Sequence, residues 1–308
     1  MSDLFFALAN RFSEQLGTKP VISVHTEPMA PDEQGYSGAR LQRLLCTDED
    51  GKTIRFICKQ TTLREINVMQ ALTDQKRGHT PLSCSLPQEN DQPGWFIMQD
   101  IRSQEKLPDD LKQWKQMVAS SLADIHTDNL GGNSIPQLPT ADENYWKEIT
   151  SKISLSHFSE ICKNNDAFAR KYAGMLPLLC RRAETFVADM TAMSRDTGCM
   201  TVTHGDLQQI DGDHVRIWQG RPMIIDWGFC RYAPFYIDLV DYFTPDESMV
   251  YWQELRRRGV LLSREDFACR FHAASLYPAF IYLYPALMHF LRGDDTRLEK
   301  LLAIFRNG

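Results

Sequence analysis

None of the eight cysteines forms a Cys-x-x-Cys pair, and positions 46, 58, 84, 162, 180, 199, 230 and 269 follow no regular zinc spacing. A zinc finger or ribbon is thereby excluded, and the cysteines read as reduced thiols of a cytoplasmic protein. An excess of positive charge is missing too: 34 Lys and Arg against 40 Asp and Glu leave a formal net charge of −6. A surface that neutralises many phosphates needs clustered basic residues, so no nucleic-acid partner is expected. Arg256, Arg257 and Arg258 make only a short basic run, which reads as a solvated helix face. Pro, Gly and low-complexity sequence are not in excess, which speaks against disorder, and there is no internal repeat.

A signal peptide is not indicated either. The apolar run Leu4 to Leu8 follows Asp3, lacks a basic stretch before it and ends at Asn10 and Arg11, as an amphipathic helix does. One longer stretch, Phe271 to Leu291, carries no Lys, Arg, Asp or Glu and is long enough to span a bilayer. It contains Pro278, Pro285, His272, His289 and several tyrosine hydroxyls, which fit two consecutive buried helices better, so no membrane partner is expected.

What is present suits an ordinary globular protein with a sizeable core, at 43% hydrophobic and 24% charged residues. A length of 308 residues predicts two domains or lobes. Val21 to His25, Arg40 to Cys46 and Thr53 to Lys59 read as an antiparallel meander, with a turn at Asp48-Glu49-Asp50-Gly51. Thr62 and Glu65 have the capping-box spacing that opens a helix, and Ile66, Met69, Gln70 and Leu72 continue it at helical period. Leu82 to Leu86 and Trp95 to Gln99 are two more strand-like runs. From about Leu107 the chain is mainly helical, Trp114, Met117, Val118, Ser121, Leu122 and Ile125 marking one apolar face. The exception is a hairpin in which Val215 to Trp218 and Met223 to Ile225 flank Gln219-Gly220-Arg221-Pro222. The division falls into a β-rich part, residues 1–99, and a helical part, residues 100–308.

Chemistry concentrates in Thr203-His204-Gly205-Asp206-Leu207-Gln208-Gln209-Ile210-Asp211 and Ile224-Ile225-Asp226-Trp227-Gly228. Three carboxylates within about twenty residues supply hard oxygen donors of the kind Mg²⁺ takes, with one left to accept a proton. His-Gly-Asp, a potential metal ligand five positions after the Asp, and Ile-Asp-Trp some fifteen further on resemble the catalytic and metal loops of aminoglycoside phosphotransferases and choline kinases. Protein kinases have His-Arg-Asp and Asp-Phe-Gly there.

The resemblance implies an α+β, protein-kinase-like bilobal fold with a small antiparallel-sheet N-lobe and a larger, mainly helical C-lobe. It also implies phosphoryl transfer from ATP, with GTP as an alternative, to a hydroxyl of a small molecule in the presence of Mg²⁺. Asp206 would orient that hydroxyl and take its proton, and Asp211 and Asp226 would hold the metal. His204 would be structural, and Asp238, in Ala233-Pro234-Phe235-Tyr236-Ile237-Asp238, would support the catalytic loop. Lys59, ending the third strand, would meet the nucleotide phosphates. Two readings stand for Glu65, the ion-pair partner of Lys59 or a capping residue. Two also stand for Gly35-Tyr36-Ser37-Gly38, where Ser37 and Gly38 cover phosphate or close a plain turn. Gln99, Asp100 and Ile101 would be the connector whose backbone receives the nucleotide base.

One position departs from the family, which has Asn where this chain has Asp211. Two unit charges at about 5 Å interact by roughly 3 kcal/mol at an effective dielectric near 20, so an Asp facing phosphate needs a metal to neutralise it. A catalytically impaired pseudokinase that binds nucleotide or a partner is therefore an alternative. A metal-dependent hydrolase using His204, Asp206, Asp211, Asp213, His214 and Asp226 is another. The acceptor pocket is expected after residue 107, where Trp227, Tyr232, Phe235, Tyr236, Tyr242, Phe243 and Trp252 read either as ring faces for an amine or sugar or as core.

Overall fold

A computed structural model describes residues 2–29, 39–87, 93–101, 109–207 and 214–307. The chain divides into two compact units, one comprising Met1–Ile125, Ser134–Leu138 and Asp213–Cys230, the other His126–Asn133, Pro139–Gly212 and Arg231–Gly308.

The first unit opens with α1 (Ser2–Leu16), followed by β1 (Val21–Glu27), β2 (Arg40–Asp48) and β3 (Thr53–Thr61). Each of these strands runs two residues beyond its sequence-predicted end, because antiparallel pairing continues to Glu27↔Arg43, Val21↔Asp48 and Thr61↔Gly94. Asp48 closes the β2–β3 turn by accepting the backbone N–H groups of Asp50 and Lys52 through Oδ1, while Gly51 takes a φ of 77°. After α2 (Leu63–Asp74), β4 (Ser83–Ser85) and β5 (Gly94–Gln99) complete a sheet of order β1-β2-β3-β5-β4. Alternation then sorts the side chains. Phe56 and Cys58 join Leu44, Cys46 and Ile97 in a core shared with Phe5, Leu8, Ala9 and Phe12 of α1. Lys59, one residue on from Cys58, is sent to the opposite face. The Asn10 side chain locks α1 onto the strand edge by accepting from Val21 N (2.9 Å) and donating to Val21 O (3.3 Å).

The long α3 (Leu111–Asp128) begins in this unit, capped by Asp110, whose Oδ1 accepts from Lys112 N and Gln113 N. Its expected apolar face is buried at Trp114, Val118, Ser121, Leu122 and Ile125 and half-buried at Met117. The second unit then builds α4 (Glu143–Lys147), α5 (Ser156–Asn164), α6 (Asp166–Tyr172), α7 (Leu176–Met193) and β6 (Met200–Thr203).

The chain next contributes the hairpin β7 (Val215–Trp218) and β8 (Arg221–Ile224) to the first unit. Its turn is shorter than expected: Gln219 (φ 51°) and Gly220 (φ 72°) form a two-residue loop with both angles positive, and Arg221 and Pro222 already belong to the strand. Twist explains the difference, since two left-handed residues match the flanking strands better than a four-residue loop. Ile224 N donates to His79 O (2.8 Å), which ties the hairpin into its unit.

The second unit resumes with β9 (Arg231–Pro234), antiparallel to β6, then α8 (Tyr236–Tyr242), α9 (Pro245–Arg257), α10 (Arg264–Ala274), α11 (Tyr277–Ile281), α12 (Leu283–Leu291) and α13 (Thr296–Asn307). The apolar stretch 271–291 is thus the end of α10 followed by two short helices. Pro278 and Pro285 lie in the first turns of α11 and α12, where their missing N–H groups cost nothing. Among the described residues no helix is long and apolar enough to cross a membrane. Edge-to-face and tilted rings fill the interior, with Trp146–Phe186, Phe186–Phe280 and Phe280–Phe305 at 5.9, 5.2 and 4.9 Å. Tyr232, Phe235, Tyr236, Tyr242 and Phe243 are buried as well, so these rings belong to the core.

Burial sets an order of thiol reactivity. It pushes the Cys46 and Cys199 thiols up to about 12 and raises that of Cys58 further, the neighbouring Cys46 adding to the effect. Cys269 is exposed and Cys162 and Cys180 half-buried. Since the thiolate is the nucleophile, alkylation of the native protein at pH 8 should mark Cys269 first and Cys162 and Cys180 more slowly. Cys46, Cys58, Cys84, Cys199 and Cys230 should react only after unfolding. Peptide mapping by mass spectrometry checks this order, and early labelling of Cys58 would contradict the sheet.

Candidate active site

In the first unit the Lys59 ammonium lies between two carboxylates, 2.7 Å from Glu65 Oε1 and 2.7 Å from Asp226 Oδ1. Side-chain exposure is 7% for Lys59 and 2% for Glu65 but 41% for Asp226, so the third group keeps an approach from solvent. Burial on its own would lower the Lys59 pKa. The two carboxylates outweigh it, and the net shift is upward from the ordinary lysine value. The sign follows: the stabilisation is complete below the unfolded-state pKa and is lost only as pH rises through the still higher folded value, well above neutrality.

Local structure accounts for each member. The register of β3 puts Lys59 opposite Leu41 on β2 and Phe96 on β5, inside the sheet. Helix α2 starts two residues after the strand ends, which returns Glu65 to the lysine. Its Oε2 also accepts from the Thr61 hydroxyl at 2.6 Å. The expected capping box does not form, since Thr62 makes no side-chain cap hydrogen bond and the Glu65 carboxylate is taken by Lys59 and Thr61. A buried ammonium outbids a backbone N–H for a carboxylate because the charged pair is the stronger bond. Asp226 follows β8 in the left-handed region (φ 61°, ψ 65°), which Asp tolerates better than most residues. The indole of Trp227 is fully buried and donates to Ile224 O at 3.2 Å, anchoring the bend. Arg64 donates to the carbonyl of Gly228. A Cβ on Gly228 would lie 3.4 Å from Asp226 Oδ1 and 3.7 Å from Glu65 Oε2, ordinary contact distances, which places this residue directly against both carboxylates. His214 Nε2 lies 3.9 Å from Asp226 Oδ2.

Of the expected connector, Gln99 ends β5 and donates its N–H to Leu82 O (3.0 Å). Asp100 is buried and accepts from Arg43 Nε at 3.0 Å. Ile101 follows outside any regular element. Ser37, Gly38 and Asp211 lie outside the described residues, as does Asp213 of the hydrolase reading.

In the second unit the 204–206 loop is held atom by atom. Asp238, fully buried on α8, accepts His204 N–H through Oδ2 (2.8 Å) and Gly205 N–H through Oδ1 (2.7 Å). His126 Nε2 lies 3.2 Å from the same Oδ2, and its Nδ1 lies 2.7 Å from the Tyr251 hydroxyl. Gly205 has a φ of 77°, a region a side chain would strain. His204 accepts Asp206 N–H on Nδ1 at 3.2 Å and is fully buried, a structural role. Tyr277 donates to Gly205 O (2.8 Å), and Tyr282 O lies 2.7 Å from Asp206 Oδ1.

Sequence reasoning overlooked Tyr277, Tyr282, Asp241, His126 and Arg64. One signal was available: Asp238 and Asp241 are three apart on a helix and therefore share a face. Tyr277 and Tyr282 sit in an apolar stretch where a hydroxyl carries no sequence signal of its target.

Asp238 offers the sharpest test of the loop. Asp238→Ala strips two buried N–H groups of their acceptor and leaves His126 without its carboxylate. Removing one partner of such a buried charged network costs about 3–5 kcal/mol. Urea denaturation should show a loss of that size, and a loss below about 1 kcal/mol would contradict the arrangement.

No protein-family model and no curated protein matches this sequence. Solved structures do match in fold. The chain is similar to an amicoumacin kinase in complex with AMP-PNP and Ca²⁺, at 12% identity and TM-score 0.58, over 92% of this chain and 86% of that one. It is similar to a choline kinase from Cryptosporidium parvum Iowa II, at 13% identity and TM-score 0.57, over 100% and 94%. It is also similar to a spectinomycin phosphotransferase in complex with ADP and its antibiotic, at 16% identity and TM-score 0.51, over 96% and 93%. Five antiparallel strands with a lysine between two carboxylates in one unit, and a helical second unit carrying the His-Gly-Asp loop, make this the protein-kinase-like bilobal fold of the aminoglycoside phosphotransferases and choline kinases.

Proposed function

We propose that this protein is a small-molecule kinase that moves the γ-phosphoryl group of ATP, or of GTP, to a hydroxyl of its acceptor, acting in the cytoplasm. The observation that carries the reading is the buried Lys59 ammonium held between Glu65 and Asp226. Glu65 orients the lysine, and Lys59 meets the nucleotide phosphates. The Asp226 carboxylate has one oxygen on Lys59 and is 41% exposed, a hard donor that fits Mg²⁺. Asp226 and Asp211 would hold that ion, which when bound neutralises charge on the phosphates. The backbone of Gln99, Asp100 and Ile101 receives the base, and the amides of Ser37 and Gly38 cover the phosphates. Asp206 orients the acceptor hydroxyl and accepts its proton. The names of the similar structures, with spectinomycin, choline and amicoumacin as their small molecules, support a small hydroxyl-bearing acceptor.

The test pairs calorimetric titration of Mg-ATP and Mg-GTP with an assay of ADP or GDP release over a panel of hydroxyl-bearing amines, amino acids, sugars and antibiotics. Lys59→Ala should weaken nucleotide binding or turnover by at least about tenfold, as loss of a charge-assisted phosphate contact does. Unchanged binding and turnover would remove Lys59 from the site. Asp206→Asn should cut turnover by roughly 10² to 10⁴ with nucleotide affinity nearly unchanged, the size of a general-base contribution. Full activity in that variant would rule out the mechanism.

A further inference from the structure

One phenol stands between two carboxylates beside the proposed base. Tyr282, at the junction of α11 and α12, has its oxygen 2.7 Å from Asp206 Oδ1 and 2.9 Å from Asp241 Oδ2. Both are hydrogen-bond distances, yet a phenol has a single hydrogen to donate. Burial first, then the charges of Asp241 and Asp206, raise the Tyr282 pKa well above its ordinary value, so the group remains O–H. Asp206 and Asp241 are themselves 7% and 6% exposed. Among the described residues a further titratable group facing the phenol is Tyr277, which in turn faces Tyr145, Asp241 and Asp238.

We infer that Tyr282 and Asp241 are positioning residues for Asp206, the phenol hydrogen bond passing from Asp206 to Asp241 as the reaction proceeds. The inference rests on the kinase reading of Asp206. Before transfer, Tyr282 donates to ionised Asp206 Oδ1 and fixes the plane of the carboxylate. During transfer the acceptor oxygen bonds to the γ-phosphorus and the bond from that phosphorus to the nucleoside diphosphate breaks. The acceptor proton moves to the Asp206 oxygen that Tyr282 does not hold. A neutral carboxyl accepts a hydrogen bond about half as strongly as an ionised one. The phenol O–H then rotates to Asp241, which is still ionised, and no proton leaves the tyrosine. Asp241 thus supplies the acceptor that keeps Tyr282 satisfied once Asp206 is protonated. Tyr277 and Asp238 hold the loop backbone through both states.

The experiment uses the full chain with Mg-ATP and water as the acceptor hydroxyl, so no acceptor need be known. Phosphate release and calorimetric Mg-ATP affinity are measured for wild type, Tyr282→Phe, Asp241→Asn, the double variant and Asp206→Asn. Tyr282→Phe should lower the rate by about tenfold to a hundredfold, less than the roughly 10² to 10⁴ of losing the general base outright, at unchanged affinity. Asp241→Asn should lower it severalfold, and the double variant should match Tyr282→Phe alone, because the effect of Asp241 on Asp206 passes through the phenol. A wild-type rate in Tyr282→Phe, or singles that multiply in the double variant, would overturn the inference while a dead Asp206→Asn left the kinase reading standing. A wild-type rate in Asp206→Asn would remove both. Should Tyr282→Phe unfold early in a thermal scan, Asp241→Asn alone decides: a reduced rate at unchanged affinity supports the assignment, and a wild-type rate sinks it.

Discussion

Taking a lysine ammonium out of water is the constraint around which the first unit is organised. An unpaired buried charge is expensive enough that it would neutralise or drag its strand open. Lys59 escapes both outcomes because two carboxylates reach it from different parts of the chain, Glu65 six residues later and Asp226 far downstream. That requirement explains features that otherwise look arbitrary. Helix α2 has to begin almost where β3 ends, and Asp226 has to accept a left-handed backbone. Trp227 has to be buried behind it. The pair with Glu65 is shut away, whereas Asp226 stays accessible, which is the asymmetry the proposed phosphate and metal site needs.

The second unit solves a complementary problem. Its 204–206 loop exposes backbone N–H groups inside a packed core, where an unsatisfied donor costs about as much as a lost hydrogen bond. One carboxylate, Asp238, satisfies two of them, and His126 and Tyr251 extend the network inward. Tyr277 from α11 and Tyr282 from the α11–α12 junction take the Gly205 carbonyl and Asp206 Oδ1. The apolar stretch that supplies them therefore serves as core and as scaffold for Asp206 at once.

Much of this was legible in the chain. Strand alternation and turn residues located β1 to β5, and their order before the His204-Gly205-Asp206 and Ile225-Asp226-Trp227 segments pointed to the fold. Local spacing was less trustworthy. Thr62 and Glu65 have the capping-box pattern without the hydrogen bonds, while Thr244 and Glu247 form a true capping box that spacing had not singled out. The difference is competition: Lys59 claims the Glu65 carboxylate, whereas Glu247 Oε2 accepts the Thr244 N–H.

By itself the sequence determined the elements, the order of the candidate motifs and the chemical types available, because periodicity and turn propensity act over a few residues. Only the tertiary structure decided which partner each polar group took. Glu65 went to Lys59 instead of its own helix, Asp238 to the loop amides, and the Tyr282 hydroxyl to Asp206 and Asp241, separated from it by 76 and 41 residues. Those choices depend on burial and on which atoms meet after packing. Hydrogen bonds and ion pairs gain their strength only where water has been excluded, so no local pattern of residues encodes them.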